Sequence, residues 1–150
     1  MKSSIRGMEC SLYNSALKID ELLIFLSQEP CSFYIPWCSM IYRQGMLFPE
    51  GFQNFTVSSK KLRNLAKQSI WELVLHMYHP GSDPEIIETY EDFANGVCTC
   101  CLIYYDCGLL EVYVKEYELF QKVWHMLTCM GVKDLTVITD TNYRRTAMHL

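Results

Sequence analysis

The sequence predicts an α+β fold in which a mixed, mainly antiparallel sheet carries about four helices packed against it. Two observations lead to this prediction. Short segments rich in β-branched and aromatic residues are interspersed with amphipathic segments of helical period, and several connections have the length of tight hairpins. The pattern is clearest in the last third, from about Cys98 to Leu150, which predicts a hairpin, a helix and a second hairpin.

Size and composition favour one domain over residues 1–150, since this is a common length for a single hydrophobic core. The chain is 50% hydrophobic and 20% charged, which is too apolar for a disordered protein. A formal net charge of -4 makes nucleic acid an improbable partner, because phosphate binding depends on clustered Lys and Arg. The first residues lack the apolar core of a secretory signal, and no apolar run approaches the roughly 20 residues that span a bilayer. We therefore expect a cytoplasmic protein with no membrane partner.

The first half of the chain predicts four strands and two helices. Strand composition marks Ile5–Cys10, Phe33–Cys38, Met40–Met46 and Ile70–Tyr78. Helical spacing marks residues 16–26, with Asn14 or Ser15 as N-cap, and residues 59–66, with Ser58 or Ser59 as N-cap.

Two of these segments leave a choice open. Pro36 lacks a backbone donor, so its strand is predicted to lie at a sheet edge or to contain a bulge. A helix is also compatible with Ile70–Tyr78. We favour a strand there, because four large apolar residues then share one face, namely Trp71, Leu73, Leu75 and Met77.

The second half begins with a short helix that Thr89 is expected to cap and that Asn95 and Gly96 are expected to end. The strands that follow are predicted over Val97–Tyr105 and Leu109–Lys115, with Gly108 supplying a positive φ in the hairpin between them. A helix is predicted over Tyr117–Met130 and is expected to end at Gly131. The last two elements predicted are a strand over Asp134–Thr139 and its hairpin partner over Thr146–Leu150.

The eight cysteines are interpreted as reduced thiols, because disulfide scaffolds are usually shorter and poor in aliphatic core. Cys98 and Cys101 have the spacing of a zinc knuckle, but they lie in a segment of buried-strand composition. A strand would place Cys98 and Cys100 on one face and Cys101 on the other. Core packing is therefore favoured over metal or redox chemistry, and we expect no cofactor and no metal. The four histidines are likewise interpreted as structural or surface residues.

Several segments of the second half resemble a known family. They are similar to the pattern of domain of unknown function 2691, a small family of Gram-positive bacteria, in Thr89–Phe93, Leu110–Lys115 and Ile138–Asp140 with Asn142, Arg145 and Thr146. The resemblance covers roughly residues 70 to 150, and Ile5–Cys10 matches the family's N-terminal strand. The Cys-rich segment and Arg144 depart from the pattern. Since the family has no known activity, the resemblance implies a bacterial cytosolic protein and little more.

A short polar stretch near the C-terminus is the first candidate site. Asp140, Asn142, Arg144 and Arg145 together could bind an anion or a polar peptide, because Arg presents a fixed fork of donors. The favoured alternative is structural. In it, Asp140 and Asn142 bond their own turn, and Arg145 pairs with an acid on a neighbouring strand, with Glu111 as the candidate.

Aromatic residues before and within a Pro- and Gly-containing segment form the second candidate site. Aromatics on loops and edge strands commonly anchor interfaces, so we expect a protein-binding surface that includes Trp37, Tyr42, Phe48 and Phe52, beside Phe33 and Tyr34. The alternative is that these side chains close one end of the core.

The favoured function is a noncatalytic protein-binding module, such as an immunity protein or an inhibitor of another protein. An enzyme or metal-binding protein with an unrecognised site is the alternative. We find no glycine-rich phosphate loop, nucleophile elbow or acid pair at a recognisable spacing.

Overall fold

A computed structural model describes residues 4–41, 55–67 and 69–150. These residues form an α+β fold in which seven strands and four short helices follow one another as β1 (Ile5–Ser11), α1 (Ile19–Leu26), β2 (Ser32–Ile41), β3 (Phe55–Val57), α2 (Ser59–Leu65), β4 (Ser69–Tyr78), α3 (Tyr90–Asn95), β5 (Cys100–Tyr105), β6 (Leu109–Val114), α4 (Tyr117–Cys129) and β7 (Lys133–Thr139).

The strands form one sheet in the order β3-β2-β4-β5-β6-β1-β7. All six neighbouring pairs in this sheet are antiparallel, so the described sheet is antiparallel rather than mixed. The N-terminal strand β1 lies between β6 and β7. This position requires Gly7, because a Cβ atom there would overlap the backbone of Val112.

The first face of the sheet carries the larger core. Alternation along β4 directs Leu73, Leu75 and Met77 to this face, where the apolar stripes of α1, α2 and α4 cover them. The helices contribute fully buried side chains such as Leu22, Leu62, Leu23, Val123 and Leu127.

The second face carries a smaller core, which irregular chain and the short helix α3 cover. Its members include Val74, Cys101, Ile103 and Tyr113 from the sheet, with Ile87, Phe93 and Met148 from the covering segments. The backbone N–H of Met148 donates to the carbonyl of Glu88 at 2.9 Å, so the C-terminal segment is attached to the segment before α3. This cover leaves cavities over β5, β6 and β1.

The predicted C-terminal strand, Thr146–Leu150, is wrong. Residues 140–150 contain no strand, because Asn142 bonds the end of β7 with its side chain and turns the chain away. Its Oδ1 accepts from the Thr139 N–H at 2.6 Å, and its Nδ2 donates to the Val137 carbonyl at 3.0 Å. The residues beyond this turn find partners on the second face instead.

Three further differences concern the other strands. The segments predicted as Phe33–Cys38 and Met40–Met46 join in a single strand, β2, as far as Ile41, and residues 42–46 lie outside the described residues. The bulge predicted at Pro36 is confirmed, since the register with β4 shifts between Tyr34 and Trp37. The three-residue strand β3 was not predicted at all.

The hairpin between β5 and β6 has positive φ at Asp106 and Cys107, not at Gly108 as predicted. At position 108 the absence of a Cβ atom leaves room for the ring of Tyr13, which would have to move if a larger residue stood there.

Replacing Thr89 by alanine is expected to lower the free energy of unfolding by about 1 kcal/mol. Thr89 caps α3, as predicted, by accepting from the Asp92 N–H at 3.2 Å, while the Asp92 carboxylate accepts from the Thr89 N–H at 3.1 Å. Denaturant unfolding measures the loss, and Thr89→Ser serves as the control because it keeps the hydroxyl. Equal midpoints for the two variants would contradict the capping role.

Candidate functional site

The polar stretch after β7 contributes three of its four predicted residues to one cavity. Asn142, Arg144 and Arg145 line a cavity of about 360 Å³ on the second face, together with Glu9, Tyr105, Glu111, Tyr113 and Ile138. Asp140 is not among the lining residues, and its backbone N–H donates to the carbonyl of Ser4 at 3.1 Å. Strands β5, β6 and β1 thus supply the floor, and the segment after β7 supplies a wall.

The partly buried ion pair between Arg145 and Glu111 forms part of this cavity, and it confirms the pairing expected from the sequence. The Arg145 Nε lies 2.9 Å and 3.0 Å from the two Glu111 carboxylate oxygens. Its Nη1 donates to the carbonyls of Ala147 at 3.3 Å and His149 at 3.5 Å. The Tyr113 hydroxyl also donates to Glu111. One guanidinium therefore fastens the C-terminal segment to β6.

Burial and the Glu111 charge determine how these groups titrate. Burial raises the pKa of Tyr113, and the hydrogen bond to the Glu111 carboxylate raises it further. The same two causes, in the same order, raise the pKa of Tyr105 to about 12. Burial acts to lower the pKa of Arg145, but the hydrogen bond and charge of Glu111 outweigh it, so the net shift is upward. At neutral pH both phenols are protonated and Arg145 is charged.

Glu9 lies directly opposite Glu111 in the pairing of β1 with β6, so the two side chains share a face and like charges adjoin. Of these two carboxylates, Arg145 forms an ion pair with Glu111. Glu9 and Arg144 are both exposed, and neither makes an ion pair or side-chain hydrogen bond within residues 4–41, 55–67 and 69–150. The cavity therefore has one uncompensated carboxylate and one uncompensated guanidinium on its walls.

A second cavity, of about 240 Å³, adjoins the first and shares Glu9, Tyr105 and Glu111 with it. Its remaining lining includes Asp134 and Thr136 from β7, and Leu109 from β6. We call the two cavities together the polar groove. Glu9 and Glu111 line both cavities of the polar groove, whereas Asp134 lines only the smaller one and the two arginines line only the larger one.

Two of the aromatic residues predicted to form an interface, Trp37 and Phe33, do not line the polar groove. Trp37 is half-buried in β2 and donates from Nε1 to Glu72 at 3.2 Å. Strands β4 and β5 lie between Trp37 and Glu111, which are therefore about 14 Å apart at the usual strand spacing. Phe33 is fully buried in the first-face core, so its assignment to an interface is wrong. Tyr42, Phe48 and Phe52 lie outside the described residues.

His76 is a residue whose environment the sequence reasoning missed. It is 2% exposed, between the rings of Tyr34 and Tyr78, and its two ring nitrogens have no hydrogen-bond partner in the described part of the chain. Burial lowers its pKa to about 4. Its burial could have been predicted, because His76 lies between Val74 and Tyr78 on one face of β4. His79, beyond the strand, is exposed and lies 2.8 Å from the Glu116 carboxylate.

The cysteines are arranged differently from the prediction. Cys98 and Cys101 lie in the second-face core, whereas Cys100 lies in the first. The strand begins only at Cys100, and the Cys98 N–H donates instead to the Glu85 carboxylate at 3.0 Å. Burial raises the pKa of Cys98 to about 12 and that of the other two well above the ordinary value, so these thiols are protonated at neutral pH. No group of three or more His, Cys, Asp or Glu side chains that could hold a metal ion occurs among the described residues.

Comparison with protein families gives one match. A family model described as "Protein of unknown function (DUF2691)" matches residues 38–149, which extends well before the segment where the sequence resemblance began. The match includes Glu111, Asp134, Arg144 and Arg145, and Glu9 precedes it. No curated protein and no solved structure matches the chain. Within the described residues, we find no helix with the length and apolar character needed to cross a membrane.

Proposed function

The chain belongs to DUF2691, a family of proteins of unknown function, and from this premise we propose that it is a noncatalytic protein-binding module of the bacterial cytoplasm. The observation that carries the proposal is the larger cavity of the polar groove. Glu9 and Arg144 line it without an ion pair, beside a Glu111–Arg145 pair that is already satisfied. Uncompensated charges of both signs in one cavity are suited to recognise a polar segment of another protein.

The geometry of the larger cavity favours binding, because the residues of its floor are already held in place. Glu111 is held by Arg145 and Tyr113 at once, so this part of the cavity needs little ordering when a partner arrives. Arg144 is exposed and can present its planar fork of donors to a carboxylate of the partner. Charge complementarity of this kind gives specificity and a fast association rate. An immunity protein or an inhibitor would use such a surface to mask its target.

An enzyme is the competing function, and the titratable groups of the cavity argue against it. Tyr105 and Tyr113 have raised pKa values, so neither hydroxyl serves as a base at neutral pH. The Glu111 carboxylate is occupied by its three hydrogen bonds. His76, whose pKa is near 4, lines neither cavity of the polar groove.

The test is affinity capture with matched variants as bait in extracts of the source organism. We expect the wild type to retain a protein that the Arg144→Glu variant does not retain. When that protein is purified and titrated calorimetrically, its affinity for Arg144→Glu should be about tenfold weaker than its affinity for the wild type. Lys60→Glu is the control, because it reverses an exposed charge on α2, which packs on the first face. Equal retention by the wild type and Arg144→Glu, or no retained protein, would contradict the proposal.

A further inference from the structure

The two ends of the polar groove have opposite uncompensated charge. At one end, the lining of the 240 Å³ cavity includes Glu9, Glu111 and Asp134 and, among the described residues, no Lys or Arg. At the other end, Arg144 and Arg145 line the 360 Å³ cavity, and Glu9 and Glu111 are shared by the two cavities. Since Arg145 pairs with Glu111, Asp134 leaves the first end negative and Arg144 leaves the second end positive, with the unpaired Glu9 between them.

The walls of the smaller cavity indicate which cation fits there. Leu109 and Tyr105 line it beside the carboxylates. An aliphatic stem that ends in a charged group matches such a lining, because Lys and Arg place their methylenes on apolar surface and keep the charge at the polar end. The carboxylates do not form a metal-binding group among the described residues. A basic side chain is thus the favoured occupant.

We infer that the polar groove binds an extended segment of the partner protein that carries one basic and one acidic residue, in a single direction. The basic side chain lies between Glu9 and Asp134, and the acidic side chain lies on the Arg144 guanidinium. This inference rests on the proposed function and adds the chemistry and the direction of the bound segment. Reversing the order of the two residues would place each charge beside one of its own sign.

The direction has a physical basis in the fold. Glu9 belongs to β1 and Asp134 to the start of β7, whereas Arg144 follows the end of β7. The two cavities are separated along the direction of β7, because the smaller one extends to Asp134 and the larger one to Ile138 and Asn142. Glu9, which pairs with Thr136 in the middle of β7, lies between these ends and lines both cavities. Asp134 has a φ of 57°, at a register shift between β1 and β7 opposite Glu9 and Ser11. The shift is where the cavity that holds both carboxylates lies.

The experiment is an NMR titration of the isotope-labelled full chain with blocked peptides. Each peptide carries Arg and Glu separated by one, two or three Ser-Gly spacer residues, in both orders, with Gln replacing either charge in the controls. We expect one order to bind, with shifts at the backbone amides around Glu9 and Thr136. Replacement of either charged residue in the peptide should weaken binding about fivefold, at 1 kcal/mol for each pair.

Variants assign each charge to its end of the polar groove. Glu9→Gln with Asp134→Asn should remove the advantage of the peptide's Arg, and Arg144→Gln should remove the advantage of its Glu, while Lys60→Glu changes neither. All four altered residues are exposed, and the spectra of the variants verify that each is folded. The inference is supported if Glu9→Gln with Asp134→Asn removes only the contribution of the peptide's Arg to binding, and Arg144→Gln removes only the contribution of its Glu.

Three outcomes overturn the inference. They are no binding at millimolar peptide, equal binding of both orders, and equally tight binding of free arginine or glutamate, which would identify a small ion as the ligand. The proposed function fails independently, because it is tested by capture of a protein. If a partner is captured and its retention depends on Arg144, but none of the peptides binds, the proposed function is supported and this inference is rejected.

Discussion

Replacing Arg145 by alanine is expected to lower the free energy of unfolding by about 3 kcal/mol. The substitution leaves the carboxylate of Glu111 buried without a cationic partner, with only the phenols of Tyr113 and Tyr105 beside it. It also removes the donors that hold the carbonyls of Ala147 and His149, so the C-terminal segment loses its attachment to β6. Denaturant unfolding followed by circular dichroism measures the change.

The neighbouring arginine offers a matched control for this prediction. Arg144→Ala removes the same side chain from an exposed position without an ion pair, and it should change stability by no more than about 0.5 kcal/mol. Adding Glu111→Gln to Arg145→Ala should restore part of the loss, because the buried charge is then gone. An unchanged midpoint for Arg145→Ala would move this residue from a structural to a binding role.

The stability of the protein is expected to fall by about 3 kcal/mol as the pH drops from 6.5 to 4, through His76 alone. In the unfolded chain this histidine gains a proton near its ordinary pKa of 6.5, whereas burial lowers the native pKa to about 4. Between these values the unfolded state binds more protons than the native state. Stability from this group is therefore fully present above pH 6.5 and is lost as the pH falls towards 4.

Replacing His76 by phenylalanine should abolish this component and slightly raise stability at pH 7, because two buried nitrogens without partners are removed. The measurement is the difference in unfolding free energy between variant and wild type at several pH values. His125→Gln serves as the control, because it removes an exposed imidazole on α4 and leaves the buried one in place. A difference that is constant from pH 7 to pH 4 would show that His76 titrates normally in the native state.

The candidate site could be predicted only in part. Asn142, Arg144 and Arg145 were found because a polar cluster after a strand is visible locally, and cross-strand logic supplied Glu111 as the partner of Arg145. Glu9 was missed. It joins the site because β1 inserts between β6 and β7, a pairing between segments more than 100 residues apart that leaves no local pattern.

The sequence by itself determined part of the local structure, where hydrogen bonds between near neighbours decide it. The N-cap of α1 is an exception, because it is Lys18 and not Asn14 or Ser15 as predicted. The Thr89 and Ser58 caps, the bulge at Pro36 and the helical period of α4 all follow from residues within a few positions of one another. Only the tertiary structure decided the strand order, the course of the C-terminal segment and the charge at each end of the polar groove. These depend on which distant strands pair and on buried contacts such as Arg145 with Glu111, whose energies become favourable only when the whole sheet has formed.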